Sequence, residues 1–231
     1  MFDYLKSRKR PVVIAIDEFQ QVRKYPESGT EALLRSYIQF LPNVHFIFSG
    51  SQYHLMTDMF VSPRGPFYNS TDIMSLTTID SEKYLLFARS FFESDGRKFD
   101  DDTFRKVYSD FDGITWYIQS VLNRVWQYRD GLQGDEDVEY AVRDLIEDRA
   151  LVFHDLFASQ PEASRALLKA IAAEGVVSTP TGSAFLGKHH LGSASTVASA
   201  AEALIGKEIL YKTEAGLVVY DRLMGRWLYG K

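Results

Sequence analysis

The 231-residue sequence predicts an α/β segment followed by an all-α one. Three observations carry that prediction. Val12-Val13-Ile14-Ala15-Ile16 is a short apolar run of the kind found in parallel strands buried on both faces, and Val44-His45-Phe46-Ile47-Phe48 is a second. A helical pattern lies between them. From Thr78 onward the apolar residues recur at helical spacing, element after element, until a short hairpin near the end. A hydrophobic fraction of 45% with 14% aromatic residues suffices for one large domain or two to three small ones.

Taken in order, the first strand is closed abruptly by Asp17 and Glu18. Residues 29–41 read as a helix with Leu33, Leu34, Tyr37, Ile38 and Leu41 on one face and Pro42 after its end. Ser49-Gly50-Ser51 ends the second strand. A turn-rich stretch with Pro63, Arg64, Gly65 and Pro66 leads to a third, weaker strand expected over residues 72–76. Asp80 or Ser81 then caps a helix bearing Tyr84, Leu85, Phe87, Ala88, Phe91 and Phe92. Asp100-Asp101-Asp102 places negative charge where the dipole of the next helix favours it. Phe111-Asp112-Gly113 breaks the chain before a helix with Ile114, Tyr117, Ile118, Val121, Leu122, Val125 and Trp126, and a longer helix covers 138–157. The aromatic residues at helical spacing in 84–126 are expected to form a core rather than a base-stacking platform.

The last stretch changes character again. Pro161 opens a helix that ends at Glu174-Gly175, and two short helices are expected over 183–190 and 193–206. Ile209-Leu210-Tyr211-Lys212 and Leu217-Val218-Val219-Tyr220 flank a Gly-bearing turn, and Asp221 caps a closing helix with Leu223, Trp227 and Leu228. Three helices, a hairpin and a closing helix outline a winged helix-turn-helix. The expected division is 1–77, 78–158 and 159–231.

Composition excludes several function classes. The formal net charge of −5 provides no global basic field for nucleic acid. With no cysteine, disulfides and thiolate metal sites are excluded. No apolar run approaches the roughly 18 residues that span a bilayer, and no apolar segment follows the basic N-terminal residues as in a signal peptide. A soluble, cytoplasmic protein without a membrane partner is expected.

An Asp-Glu pair at the carboxyl end of a parallel strand has chemical meaning, because ligands bind in the crevice outside such ends. In P-loop ATPases an Asp there holds the Mg²⁺ of bound nucleotide, and a neighbouring Glu polarises the attacking water. Asp17 and Glu18 are the candidates. Ser49, at the end of the second strand, places a hydroxyl beside that site in a sensor role.

Ile14-Ala15-Ile16-Asp17-Glu18-Phe19-Gln20, followed by Phe46-Ile47-Phe48-Ser49-Gly50-Ser51, resembles the archaeal-type ATPase family of the AAA+ superfamily, with its DEFQ and SGS segments. Asp112-Gly113-Ile114-Thr115-Trp116-Tyr117 resembles that family's Gly-x-Pro-x-Tyr helix start. Gly206-Lys207-Glu208-Ile209 through Asp221-Arg222-Leu223-Met224-Gly225-Arg226-Trp227-Leu228 resembles its winged-helix ending. The resemblance implies an incomplete P-loop NTPase parallel sheet, a helical lid and a C-terminal winged helix-turn-helix. It implies Asp17 as Mg²⁺ ligand, Glu18 as base, Ser49 as sensor, and Asp17 and Ser51 as cofactor contacts. It also implies the strand order 5-1-4-3-2, in which the acidic strand is 3, the sensor strand 4 and residues 72–76 strand 5.

The sequence departs from that pattern in three places. It contains no Gly-x-x-x-x-Gly-Lys-[Ser/Thr] loop. Asn69-Ser70 stands where an arginine is common, with Arg64 as a nearby substitute, and Thr115 replaces the lid proline. ATP and Mg²⁺ are therefore expected as cofactors of a complete protein and not of this chain alone. Homo-oligomers are a further expectation.

Residues 161–231 carry eight Lys/Arg against six Asp/Glu, which points mildly toward DNA. Lys188, Lys207 and Lys212 are the candidate nucleic-acid contacts. However, the expected recognition helix has no Lys or Arg for reading bases. The alternative is a non-catalytic winged-helix module that binds DNA or protein.

Overall fold

The computed structural model describes residues 1–230, apart from the side chains of residues 53 and 54; Lys231, the end of the expected 159–231 segment, lies outside them. The chain forms two compact units that meet between Leu76 and Thr77.

The first unit runs α1 (Phe2–Lys6), β1 (Val12–Ile16), a 3-10 helix (Phe19–Lys24), α2 (Thr30–Ile38), β2 (Val44–Phe48) and α3 (Tyr53–Phe60). β1 and β2 pair in parallel, from Val12 opposite Val44 to Ile16 opposite Phe48. Alternation along the strands sends Ile14, Ile16, Phe46 and Phe48 inward. Ile16 and Phe48 pack on a cluster of Phe19, Met59, Phe60 and Phe67. Val12, Ile14 and Phe46 pack on Leu5, Leu41 and Val44.

Two expectations fail here. Both strands were read as buried on both faces, yet Val13 is 63% and Ile47 56% exposed, with Ala15 and His45 beside them. No layer of described residues covers that face. Residues 72–76 form no strand, and Ile73, Met74 and Leu76 are exposed. A strand exists only through the hydrogen bonds of a neighbour, and no described residue pairs with this segment.

The second unit begins with α4 (Ser81–Ser94), β3 (Lys98–Phe99), α5 (Asp101–Asp110), α6 (Thr115–Tyr128), β4 (Gly131–Leu132) and α7 (Asp135–Ala158). Its caps follow the sequence. Asp80 accepts the Lys83 N–H at 3.0 Å and Asp100 the Thr103 N–H at 2.8 Å, each satisfying a backbone donor that the first turn leaves unpaired. Tyr84, Leu85, Ala88 and Phe92 of α4 are buried as expected, but Phe87 and Phe91 are not core residues. They stand 57% and 59% exposed and touch each other edge to face.

The chain continues with α8 (Glu162–Glu174), α9 (Ser183–Lys188), α10 (Ala194–Gly206), β5 (Leu210–Lys212), β6 (Leu217–Val219) and α11 (Arg222–Tyr229). β5 and β6 form an antiparallel hairpin, and Val177 bridges to Leu217 as a third short strand. Gly216, at φ +147°, makes that bridge possible, because a Cβ there would lie 2.5 Å from the Val177 carbonyl. Leu167, Leu168, Ile171, Val197, Leu204, Leu223 and Leu228 join the core that also holds Phe104, Ile118, Val121 and Val142. The helices of residues 81–158 and the hairpin region thus share one hydrophobic core.

α7 is the element common to both regions. Its C-terminal part carries Phe153 and Phe157, which pack against Trp227 of α11. Asp221 ties the same join. Its Oδ1 accepts the N–H groups of Leu223 and Met224, and its Oδ2 accepts Arg149 Nη1 of α7 at 3.0 Å. The Arg222 N–H donates to the Tyr117 hydroxyl at 3.0 Å. Burial, then the nearby Asp221 carboxylate, pushes the pKa of Tyr117 up to about 12.

Asp221→Ala removes the cap of α11 and is expected to cost about 1–2 kcal/mol in urea denaturation, most of it from the lost N-cap. His190, at φ 50°, ends α9 in the left-handed region. The Leu191 N–H returns to the Leu186 carbonyl at 3.0 Å, the geometry glycine favours. His190→Gly is expected to stabilise the protein by about 1 kcal/mol in the same assay.

Candidate functional site

The carboxyl ends of β1 and β2 bring the predicted residues of the first unit together. The parallel ladder continues past both strands: the Ser49 N–H donates to the Ile16 carbonyl at 3.0 Å, and the Phe19 N–H donates to the Ser49 carbonyl at 2.9 Å. These bonds fix the two chain ends side by side. Asp17 and Ser49, 32 residues apart in sequence, meet there, with the Ser49 hydroxyl donating to Asp17 Oδ1 at 2.7 Å. The Glu18 N–H donates to the same oxygen at 3.0 Å.

Both donors favour the ionised carboxylate, and the Ser49 hydroxyl is the larger influence. They hold the pKa of Asp17 below its ordinary value against a small opposing effect of burial. Asp17 is exposed, so its carboxylate faces solvent at the strand end. A hard oxygen donor in this position suits a hard divalent cation.

Glu18 turns the chain with φ 51° and ψ 41°, a left-handed conformation uncommon for a residue with a side chain. The residue after it, Phe19, is 2% exposed and meets Phe48 at 4.3 Å between ring centroids and Phe67 edge to face at 5.5 Å. Ring burial of this size holds the unfavourable turn in place. Ser51 donates to Glu18 Oε2 at 3.1 Å. Asp17, Glu18, Ser49 and Ser51 therefore form one hydrogen-bonded group.

Two members of the site carried no predicted role. Gln20 is fully buried and its Nε2 donates to Glu18 Oε2 at 2.6 Å. Gly50 lies against it: a Cβ there would come 2.3 Å from Gln20 Oε1 and 2.6 Å from Met56 Sδ. Both residues stand inside the DEFQ and SGS segments, so their position was visible and their contact was not. Arg64 lies apart from this group, on a cleft of about 670 Å³ that Arg23, Glu31 and Asp58 also line.

Two of the three candidate nucleic-acid lysines have partners within the protein. Lys188 pairs with Glu174 at 2.5 Å, and His189 Nε2 lies 2.7 Å from the same carboxylate. Lys188 first, and His189 second, hold the pKa of Glu174 down. Lys207 Nζ donates to the buried Gln160 at 2.9 Å. Lys212 is exposed on β5. Among the described residues no group of three or more His, Asp or Glu side chains is arranged to hold a metal ion. No helix among them is long and apolar enough to cross a membrane.

Ser49→Ala is expected to raise the pKa of Asp17 toward the ordinary carboxyl value, read as the midpoint of its side-chain carbon resonance in an NMR pH titration. A depressed carboxyl stabilises the fold above its unfolded pKa of about 3.9 and loses that contribution as pH falls through the folded value. The wild type should therefore be the more stable of the two above about pH 3.9, and that advantage should vanish as pH falls through the acidic window. Gly50→Ala forces Gln20 or Met56 to move and is expected to cost about 1–3 kcal/mol, seen as a lowered Tm.

Comparison with known proteins agrees with this architecture. Residues 151–230 match a family model described as "Probable winged helix domain". No curated protein matches the chain in sequence. Among solved structures, the Walker-type ATPase of Pyrococcus abyssi superposes on 94% of the chain with a TM-score of 0.65 and 17% identity. The chain spans 63% of the length of that protein. The RuvB Holliday junction branch migration motor of Thermotoga maritima matches 98% of this chain and 73% of its own, at 17% identity and a TM-score of 0.46. The ORC2 protein of Aeropyrum pernix matches 100% of this chain and 68% of its own, at 14% identity and a TM-score of 0.45. The chain thus has a fold like that of a Walker-type ATPase and ends in a winged helix domain.

Proposed function

We propose that the chain supplies the acidic strand, sensor strand, lid and winged helix of an AAA+ or STAND-type ATPase, and that it hydrolyses ATP only when a P-loop is provided. The observation that carries this reading is the Ser49 hydroxyl on Asp17 Oδ1 at 2.7 Å, across the carboxyl ends of two parallel strands. Asp17 would hold the Mg²⁺, with Ser51 beside it as a further cofactor contact. The metal, when bound, would neutralise charge on the nucleotide phosphates. Glu18 takes a proton from water, for which its half-buried carboxylate is suitably placed at the crevice. Ser49 keeps Asp17 ionised and directed.

Residues 72–76 support the same reading. Their apolar members Ile73, Met74 and Leu76 are exposed and free of ladder bonds among the described residues, as a strand 5 is when its strand 1 neighbour is lacking. The phosphate-binding amides and Lys of a P-loop have no counterpart in this sequence. ATP affinity of the chain alone is accordingly weak or nil. Association with further copies or with a chain carrying the P-loop follows from the same gap.

For the winged helix, one observation favours a protein partner over DNA. The outward positions of α10, among them Ser195, Ser199 and Glu202, carry no cation. Lys188 and Lys207 are engaged within the protein. A module of this kind lacks both base-reading Arg or Lys and a free phosphate-binding row.

In a protein that joins this chain to a P-loop, Glu18→Gln is expected to lower hydrolysis by two orders of magnitude or more while ATP binding persists; unchanged turnover would remove Glu18 from the chemistry. Isothermal titration of the chain alone with Mg-ATP should give no binding heat. A gel shift at low salt that disappears in a Lys188→Ala, Lys207→Ala double variant would overturn the protein-partner reading.

A further inference from the structure

The Glu18 carboxylate is held by two donors from different segments, the 3-10 helix and the chain after β2. Gln20 Nε2 reaches Oε2 from within the core at 2.6 Å, and the Ser51 hydroxyl reaches the same oxygen from the β2 side at 3.1 Å. We propose that Gln20 and Ser51 are positioning residues that lock the Glu18 carboxylate in one orientation by gripping Oε2, so that the other oxygen, Oε1, is the one presented to water. The inference rests on the reading of Glu18 as the water-activating base.

Three features of the fold favour a dedicated grip over incidental contact. Gln20 is completely buried, yet its Oε1 has no hydrogen-bond partner among the described residues. A buried, unpaired amide oxygen is unfavourable, and an apolar side chain of the same length would avoid it. What only the amide supplies at this position is the N–H directed at Glu18. Gly50 makes room for that amide, since any Cβ would lie 2.3 Å from Gln20 Oε1. Glu18 itself adopts φ 51°, and an uncommon backbone conformation persists where the surrounding structure over-determines it. Core amide, glycine and turn all converge on one carboxylate oxygen.

A general base works from a fixed direction, because misplacement by a fraction of an ångström weakens proton transfer. Anchoring one oxygen of a carboxylate removes the rotation that would otherwise average both oxygens over solvent. Ser51 lies at the exposed rim and Gln20 in the core, so removing either loosens a different side of the grip.

The test uses the uniformly ¹³C,¹⁵N-labelled chain. The three-bond couplings from the Glu18 backbone nitrogen and carbonyl carbon to Cγ report its χ1 rotamer, which a grip on Oε2 from both donors restricts. In the wild type they should show a single rotamer. In Ser51→Ala and Gln20→Met they should move toward rotamer-averaged values, most completely in the double variant. Ser51→Thr, which keeps the hydroxyl, should restore the single-rotamer pattern. Ring resonances of Phe19 and Phe48 monitor the fold, and if Gln20→Met disturbs them the exposed Ser51→Ala and Ser51→Thr pair decides alone. Averaged couplings in the wild type, or a fixed Glu18 in Ser51→Ala, would overturn the proposal. The readout needs no nucleotide. A failed grip therefore leaves the ATPase reading standing, and a silent Glu18→Gln removes that reading without touching the grip.

Discussion

The seating of Phe19 is the interaction on which the first unit depends. Its ring closes a cluster with Phe48, Phe60 and Phe67, and its backbone N–H extends the β1–β2 ladder to Ser49. These two attachments force the preceding residue, Glu18, through a left-handed turn. Apolar burial thus determines where two carboxylates and three polar side chains stand. The site is built by a hydrophobic contact, and its polar geometry follows from that contact.

Much of this was legible in the sequence because the signals are local. Both strands of the first unit fall on their apolar runs, and Asp80, Asp100 and Asp221 cap the helices after them, since a cap depends on a side chain three or fewer residues away. Pairing Asp17 with Ser49 was readable as well, because parallel strands in register bring their carboxyl ends together. What could not be read was anything decided by absent or distant neighbours. Val13 and Ile47 have the composition of buried strand residues, but burial is a property of what lies opposite them. Residues 72–76 have strand composition and no ladder partner among the described residues. Phe87 and Phe91 fall outside the face of α4 that meets the core, and a helical repeat with too many apolar residues does not say which face wins.

The candidate site shows the same limit. Gln20 was visible as a letter in a motif, while its direction depends on the 3-10 turn and on the missing Cβ of Gly50. In the winged helix, Lys188 and Lys207 stand out in the sequence by their charge alone. Their partners, Glu174 and Gln160, are 14 and 47 residues away in sequence and met only through the folding of α8 against its neighbours. Charge counts read composition; an ion pair reads topology.

One feature of the second unit has a mechanical meaning. α7 is a single helix of 24 residues, about 36 Å long at 1.5 Å per residue. Its first half is packed into the core with α5 and α6, and its second half is held by Trp227 and by the Arg149 bond to Asp221. An unbroken helix of that length resists bending, and neither end has a glycine or proline hinge within it. The two parts of the second unit are thus joined through one continuous helix whose two halves are anchored in the same hydrophobic core.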